Sequence, residues 1–261
     1  MPELPEVEAY RALAESALHR PVAAVDAPDA WFLKAGLDEP TVRDALTGRS
    51  FTAARRRGKL LLLDTDEGGP VLGLRFGMTG RLLVDGRPGV EGLLYSSPLE
   101  RSEWDRFAVR FRDGGDLRLR DPRRLGGVRL DPDEDALGAD ALDLTPAALR
   151  AALGTSTVAL KARLMDQTRL AGVGNLLADE ALWRAGLDPR RPAGSLTPAE
   201  VRRLHRHLRG TVADLIARGG SHAGDLMPVR TRGGTCPRDG APLARQAVGG
   251  RTTYWCPTHQ R

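Results

Sequence analysis

The sequence predicts an α+β protein: a strand-rich N-terminal part led by one helix, then a helical part that ends in a β-hairpin with two metal-knuckle motifs. Three observations predict it. From about residue 22 to 130, short apolar runs alternate with turns bearing Gly, Asp and Pro, the pattern of a β-sandwich or barrel. Beyond the acidic, proline-broken segment Asp131-Pro132-Asp133-Glu134-Asp135, the apolar spacing becomes helical. Near the C-terminus, Cys236-x-x-Asp239 and Cys256-x-x-His259 are separated by sixteen residues, the two-knuckle spacing of a zinc ribbon.

The leading helix is read from Val7, Tyr10, Leu13, Ala14, Ala17 and Leu18, which recur every three or four residues between Glu6 and Leu18. Strands follow at Val22 to Val25, Phe51 to Arg55, Leu60 to Asp64, Val71 to Phe76, Arg81 to Val84, Phe107 to Phe111, Leu117 to Arg120 and Val128 to Leu130. Asp85-Gly86 and Asp113-Gly114 are turn signals between them. In the second part, helices are expected over about 146–153, 157–167, 175–185 and 198–218. Thr145-Pro146 and Thr197-Pro198-Ala199-Glu200 each read as an N-cap followed by proline in the first helical turn, and the second is also a capping box. After Gly219-Gly220 the tail reads as loop and hairpin. The domain boundaries so drawn are 1–131, 132–225 and 226–261.

Composition narrows the function classes. A formal charge of +5 and a pI near 9.7 favour a polyanionic partner. No apolar run is long enough to span a membrane and the start is acidic, so a cytoplasmic, monomeric protein is expected. Two cysteines cannot build a disulfide framework for 261 residues. Of the 39 basic residues only Lys34, Lys59 and Lys161 are lysine. Where arginine is the default, a retained lysine suggests a compact or titratable charge; Lys34 is read as a surface residue.

The chain begins Met1-Pro2-Glu3-Leu4-Pro5-Glu6-Val7-Glu8. Removal of Met1 would leave a secondary amine whose pKa, near ~8 rather than the ~10.4 of lysine, keeps much of it neutral and nucleophilic. Glu3 and Glu6 would place carboxyl groups beside it for proton transfer. The plainer reading is a helix entry with acidic residues in its first turn. Leu170-Ala171-Gly172-Val173-Gly174-Asn175 joins two expected helices, and amides at such a helix start can hold a phosphate. Arg55-Arg56-Arg57-Gly58-Lys59 is a basic run at a strand, and Gly77-Met78-Thr79-Gly80 and Asp121-Pro122-Arg123-Arg124-Leu125-Gly126-Gly127 are two short loops. Solvated edge and core filler are the plain readings of the basic run and of Met78. In the knuckles Asp239 reads equally as a turn residue before Gly240, and a metal-free hairpin is the alternative to a metal site.

Taken in order, these motifs resemble the formamidopyrimidine-DNA glycosylase and endonuclease VIII family over essentially the whole chain. The resemblance implies a bifunctional DNA glycosylase and apurinic/apyrimidinic lyase of base excision repair. Its fold would be a β-sandwich, a helix-two-turn-helix domain and a zinc-ribbon hairpin, and its partner would be double-stranded DNA with damaged bases or abasic sites, bound in a basic cleft and met in the nucleoid. Pro2 would attack C1′ of the extruded nucleotide, Glu3 would donate a proton, Glu6 would assist and Lys59 would contact phosphate beside the sugar. Met78, Arg123 and Leu125 would fill the gap left by the extruded base, although the family has an aromatic where Leu125 stands. Lys161, Asn175 and Arg251 would grip backbone phosphates, with Glu180 near the same site. Cys236, Asp239, Cys256 and His259 would hold one structural zinc, two of them replacing the family's usual cysteines. Glu3-Leu4-Pro5 resembles the branch acting on oxidised purines such as 8-oxoguanine and formamidopyrimidines. Leu125 and the brief segment Gly219 to Pro228 suit an endonuclease VIII-like enzyme for oxidised pyrimidines. A non-catalytic binder of damaged DNA and a general zinc-ribbon protein are the other classes.

Overall fold

A computed structural model describes residues 2–94, 99 and 101–261. The chain forms two compact units, one of Met1–Pro2 with Glu6–Glu134 and one of Glu3–Pro5 with Asp135–Arg261. The break falls within the acidic segment.

Helix α1 (Leu4–Ala14), in the first unit from Glu6 onward, is followed by a 3-10 turn, Glu15–Ala17. The α-helix stops short of the expected Leu18, where the backbone is already extended. Next come β1 (Val22–Asp26), α2 (Glu39–Leu46), β2 (Phe51–Arg57), β3 (Leu60–Thr65), β4 (Leu72–Arg75), β5 (Arg81–Val84) and β6 (Arg87–Pro88). β7 (Asp105–Phe111), β8 (Asp116–Arg120) and β9 (Gly127–Leu130) complete it. The strands form two antiparallel sheets, β1-β7-β8-β5-β6 and β2-β3-β4-β9. Alternate residues of both sheets, such as Phe107, Val109 and Phe111 on β7 and Leu61 and Leu63 on β3, meet in one apolar core with Val7 and Tyr10 of α1. This is the expected sandwich.

Helix α2 was not read from the sequence. Its signals are local: the Asp38 carboxylate accepts the Thr41 amide at 2.9 Å, Pro40 lies in the first turn, and Val42 and Leu46 point into the core at i, i+4.

The second unit pairs β10 (Ala139–Asp140) in parallel with β11 (Leu170–Ala171) and contains α3 (Pro146–Leu153), α4 (Leu160–Leu164), α5 (Asn175–Ala185) and α6 (Pro198–Ala217). It ends in the hairpin of β12 (Ala244–Val248) and β13 (Arg251–Trp255). Leu149, Leu153, Leu164, Leu177, Leu182, Leu204 and Leu208 pack its core together with Leu4. Both expected caps form: Thr145 Oγ1 accepts the Ala148 amide at 3.1 Å, and Thr197 with Glu200 closes the capping box. Helix α4 is shorter than the expected 157–167. Asp166 bonds the amide and hydroxyl of Thr168, a local alternative to the helical ladder, and the Leu160 amide bonds Arg191 O.

Candidate functional site

The chain's start is anchored by Glu3. Its buried carboxylate accepts the amides of Leu176 at 2.9 Å and Leu177 at 3.0 Å, in the first turn of α5. An anion there satisfies amides that lack helical partners and meets the positive end of the helix dipole. The Leu4 amide adds a bond to Gly172 O at 3.1 Å. The loop's glycines serve this same contact. A Cβ on Gly174 would lie 2.2 Å from Glu3 Cδ, and one on Gly172, whose φ is +103°, 2.6 Å from Leu4 Cδ1. The helix-start amides of Leu176 and Leu177 therefore hold a carboxylate of the chain itself. Asn175, beside them, is half-buried, and its Oδ1 is shielded from solvent without a hydrogen-bond partner among the described residues. Gln167 braces the loop, donating to Val173 O at 2.9 Å and accepting from the Gly172 amide at 3.1 Å.

Lys161 is fully buried. Its Nζ pairs with Asp179 Oδ1 at 2.6 Å and donates to Thr253 Oγ1 at 2.7 Å, while Arg230 donates to Asp179 Oδ2 at 2.9 Å and to Thr252 O at 2.8 Å. Burial pushes the Lys161 ammonium down and the Asp179 carboxyl up, with their mutual attraction opposing both shifts. This cluster ties α4 and α5 to the β13 strand that begins with Arg251. Arg251 itself is exposed beside the two-residue turn Gly249-Gly250, whose φ values of +56° and +71° fit a tight hairpin turn with both central residues at positive φ. Glu180 is also buried and accepts the amides of Asp225 at 3.1 Å and Leu226 at 2.9 Å. Neither Asp179 nor Arg230 was singled out from sequence; the only signal was an Asp-Glu pair inside an apolar helix.

The knuckle residues converge. The donor atoms of Cys236, Asp239, Cys256 and His259 all lie within 4.8 Å of one another, a group able to hold a metal ion. Asp239 accepts the Ala241 amide at 3.0 Å through Oδ1, as the turn reading expects, and faces His259 Nδ1 at 2.8 Å through Oδ2. A surrounding layer orients the donors: Trp183 Nε1 donates to Cys236 Sγ at 3.4 Å, and His259 Nε2 faces Trp183 O at 3.4 Å.

In the first unit, Pro2 and Glu6 are buried, and Lys59 is half-buried in the two-residue β2–β3 turn opened by Gly58 at φ +58°. Met78 is half-buried and outside the packed core, while Arg123 and Leu125 are exposed. One buried carboxylate holds the two loops that bear them. Asp121 accepts the Thr79 hydroxyl at 2.6 Å and the amides of Arg123, Leu125 and Gly126 at 3.2, 2.9 and 2.8 Å. Gly77 permits the contact, since a Cβ there would lie 2.4 Å from the Leu125 carbonyl carbon. Beside it Arg124, at φ +57°, grips Asp29 with two bonds of 2.6 Å and holds that carboxyl below the usual carboxylate range. Among the described residues no helix is long and apolar enough to cross a membrane.

Known proteins resemble this chain along its length. Residues 1–128 match the family model of the formamidopyrimidine-DNA glycosylase N-terminal domain, and residues 136–225 that of the formamidopyrimidine-DNA glycosylase H2TH domain. The formamidopyrimidine-DNA glycosylase of Paracoccus denitrificans is 34% identical over 289 residues, covering all of both chains. That of Salinispora arenicola is 37% identical over 292 residues, covering 100% of this chain and 96% of the relative. The solved structure of the Lactococcus lactis enzyme, non-covalently bound to DNA containing an abasic site, superimposes with a TM-score of 0.82 at 26% identity over 99% of each chain. The chain belongs to the formamidopyrimidine-DNA glycosylase family.

Proposed function

We propose that this protein is a bifunctional glycosylase and abasic-site lyase that removes oxidised purines from duplex DNA, with Pro2 as nucleophile. The observation that carries the reading is the clamp on Glu3, which fixes a buried carboxylate one peptide bond from Pro2. With Met1 removed, the Pro2 nitrogen attacks C1′ of the extruded nucleotide and the glycosidic bond breaks, the base leaving with the bonding pair and taking a proton from water. The Glu3 carboxylate takes the proton that the Pro2 nitrogen sheds and delivers it to the sugar ring oxygen as the ring opens to an iminium, while Glu6 and Lys59 assist from the same unit. The iminium acidifies the C2′ protons. Loss of one expels the 3′ phosphate, a second elimination expels the 5′ phosphate, and water then releases the unsaturated aldehyde from Pro2.

Met78, Arg123 and Leu125 occupy the gap in the duplex. Filling it offsets an unstacking cost of a few kcal/mol. Asn175 and Arg251 grip phosphates, and Lys161 serves the same contact indirectly by fixing the hairpin. On this reading residues 1–131 carry the catalytic part, 132–225 the helical DNA-binding part and 226–261 the metal hairpin. Glu3-Leu4-Pro5 supports purine lesions; exposed Leu125 and the short segment before Pro228 support oxidised pyrimidines as the second reading.

Borohydride reduction in the presence of an abasic-site duplex is expected to crosslink the protein through Pro2, identified by mass spectrometry. Protein verified to start at Pro2 that yields no crosslink, or one only at Lys59, rules the mechanism out. Parallel duplexes bearing oxidised guanine and oxidised thymine separate the two lesion readings.

The knuckle ion is zinc on this proposal. Two thiolates, an imidazole and a carboxylate form an accepted tetrahedral donor set, and the Cys236 Sγ to His259 Nδ1 and Cys256 Sγ to Asp239 Oδ2 separations of 3.7 and 3.3 Å suit bonds of roughly 2.0–2.3 Å to a shared centre. One equivalent of zinc is expected in the purified protein, and its removal by chelator should weaken abasic-DNA binding at least about tenfold by loosening the hairpin that carries Arg251. Metal-free protein with undiminished DNA affinity rejects a structural zinc.

A further inference from the structure

Helix α6 carries charge that the rest of the second unit does not neutralise. Its segment Val201 to Ala213 holds Arg202, Arg203, Arg206 and Arg209, with His205 and His207, and no Asp or Glu. The helix's two acids are engaged elsewhere: Glu200 with Arg191 at 2.7 Å, and Asp214 with Arg184 at 2.7 Å and Arg218 at 3.2 Å. In α1 and α5 an arginine faces an acid one turn away, Arg11 with Glu15 and Arg184 with Glu180. Arg202 and Arg206 instead set like charges at i, i+4, which destabilises a helix. Among the described residues none of Arg202, Arg203, Arg206 or Arg209 pairs with a carboxylate. Arg203 Nε is shielded from solvent with no hydrogen-bond partner among the described residues, and Arg209 reaches Leu144 O at 3.4 Å.

Arg202, Arg206 and Arg209 are exposed on one face, opposite the buried Val201, Leu204, Leu208 and Val212. At 1.5 Å per residue they stand about 6 and 4.5 Å apart along the axis. Gly210 follows Arg206 by one turn on this face. It is exposed, and a Cβ there would meet nothing within 4 Å, so internal packing does not require glycine at a mid-helix position where it is unfavourable. Its absent side chain leaves the helix surface bare beside Arg206 and Arg209. His207 lies in the same field: burial first, then Arg206, Arg238, Arg203 and Arg184, hold its imidazole below its ordinary range.

We propose that this ridge of α6 is a second DNA contact, gripping the phosphate backbone of undamaged duplex independently of the lesion. The inference rests on duplex DNA being the partner and goes beyond the reading of the active site. A phosphate backbone fits better than a protein, because none of the exposed large apolar residues, Trp31, Leu94, Leu99, Leu125 and Val158, lies on α6 to anchor a protein interface. The lack of an aromatic also disfavours single strands, whose bases stack on rings.

The test is the triple variant Arg202→Gln, Arg206→Gln, Arg209→Gln. Each phosphate contact contributes about −0.9 to the slope of log affinity against log salt, so on a long undamaged duplex the slope should flatten by roughly 2 to 3 and affinity at low salt should fall at least about tenfold. Cutting of a short lesion-bearing duplex should keep the wild-type rate, and the melting temperature should not fall. An unchanged salt slope overturns the proposal. So does an equal loss of lesion cutting in the folded variant, which would make the ridge part of the active site. Wild-type protein that fails to cut the lesion duplex counts instead against the glycosylase reading.

Discussion

Asp179→Ala is expected to destabilise the protein by about 3–5 kcal/mol, the usual cost of removing one partner from a buried ion cluster. The side chains of Lys161 and Asp179 are 0% and 1% exposed, so no water replaces the lost carboxylate. Arg230, 7% exposed, loses the same partner. Two cations would then face each other in a low-dielectric interior. Asp179→Asn keeps an acceptor for Arg230 and should cost less. Urea unfolding followed by tryptophan fluorescence measures both, and a loss below about 1 kcal/mol for the alanine variant would mean that water reaches the cluster after all. Because Thr252 and Thr253 of β13 bond to these same cations, the variant should also bind abasic DNA more weakly.

Glu3→Gln is expected to slow base release by about 10²–10⁴, the range contributed by a positioned general acid. Strand cutting at a pre-formed abasic site should suffer far less. That substrate has already lost its base, and its open-chain aldehyde can condense with Pro2 without a proton being delivered to the ring. The substitution also replaces a carboxylate that accepts two amides by a group with one acceptor and one donor facing an amide, for a stability loss of about 1–3 kcal/mol. Single-turnover assays on both substrates separate the roles. Equal slowing of the two would make Glu3 a positioning residue.

The strands and capped helices were legible because their signals are local. Alternating Phe107, Val109 and Phe111, the turn glycines and the Thr197–Glu200 box each specify a backbone within a few residues. Knuckle spacing was legible for the same reason, and convergence of the four donors adds only what spacing cannot state. What escaped depends on distant partners. The atoms that clamp Glu3 lie 173 and 174 positions away in the chain. Lys161 looked like a phosphate ligand because its type and place in the motif were visible and its burial against Asp179 and Arg230 was not. Asp121 stood in a loop noticed for its arginines, although an Asp that starts a tight turn is a familiar organiser.

Helix α5 meets Glu3 at its first turn, Lys161 and Arg230 at Asp179, the 225–226 backbone at Glu180 and the knuckle donors at Trp183. Those attachments share one rotational phase. A single inserted residue would turn everything beyond it by about 100° and advance it by 1.5 Å, so attachments on opposite sides of the insertion could no longer be satisfied together. A substitution on α5 touches one attachment at a time, whereas a change in its length touches all of them. Such a change would unseat the Glu3 carboxylate, the β13 hairpin held through Asp179 and the Trp183 contact with the knuckle in a single step.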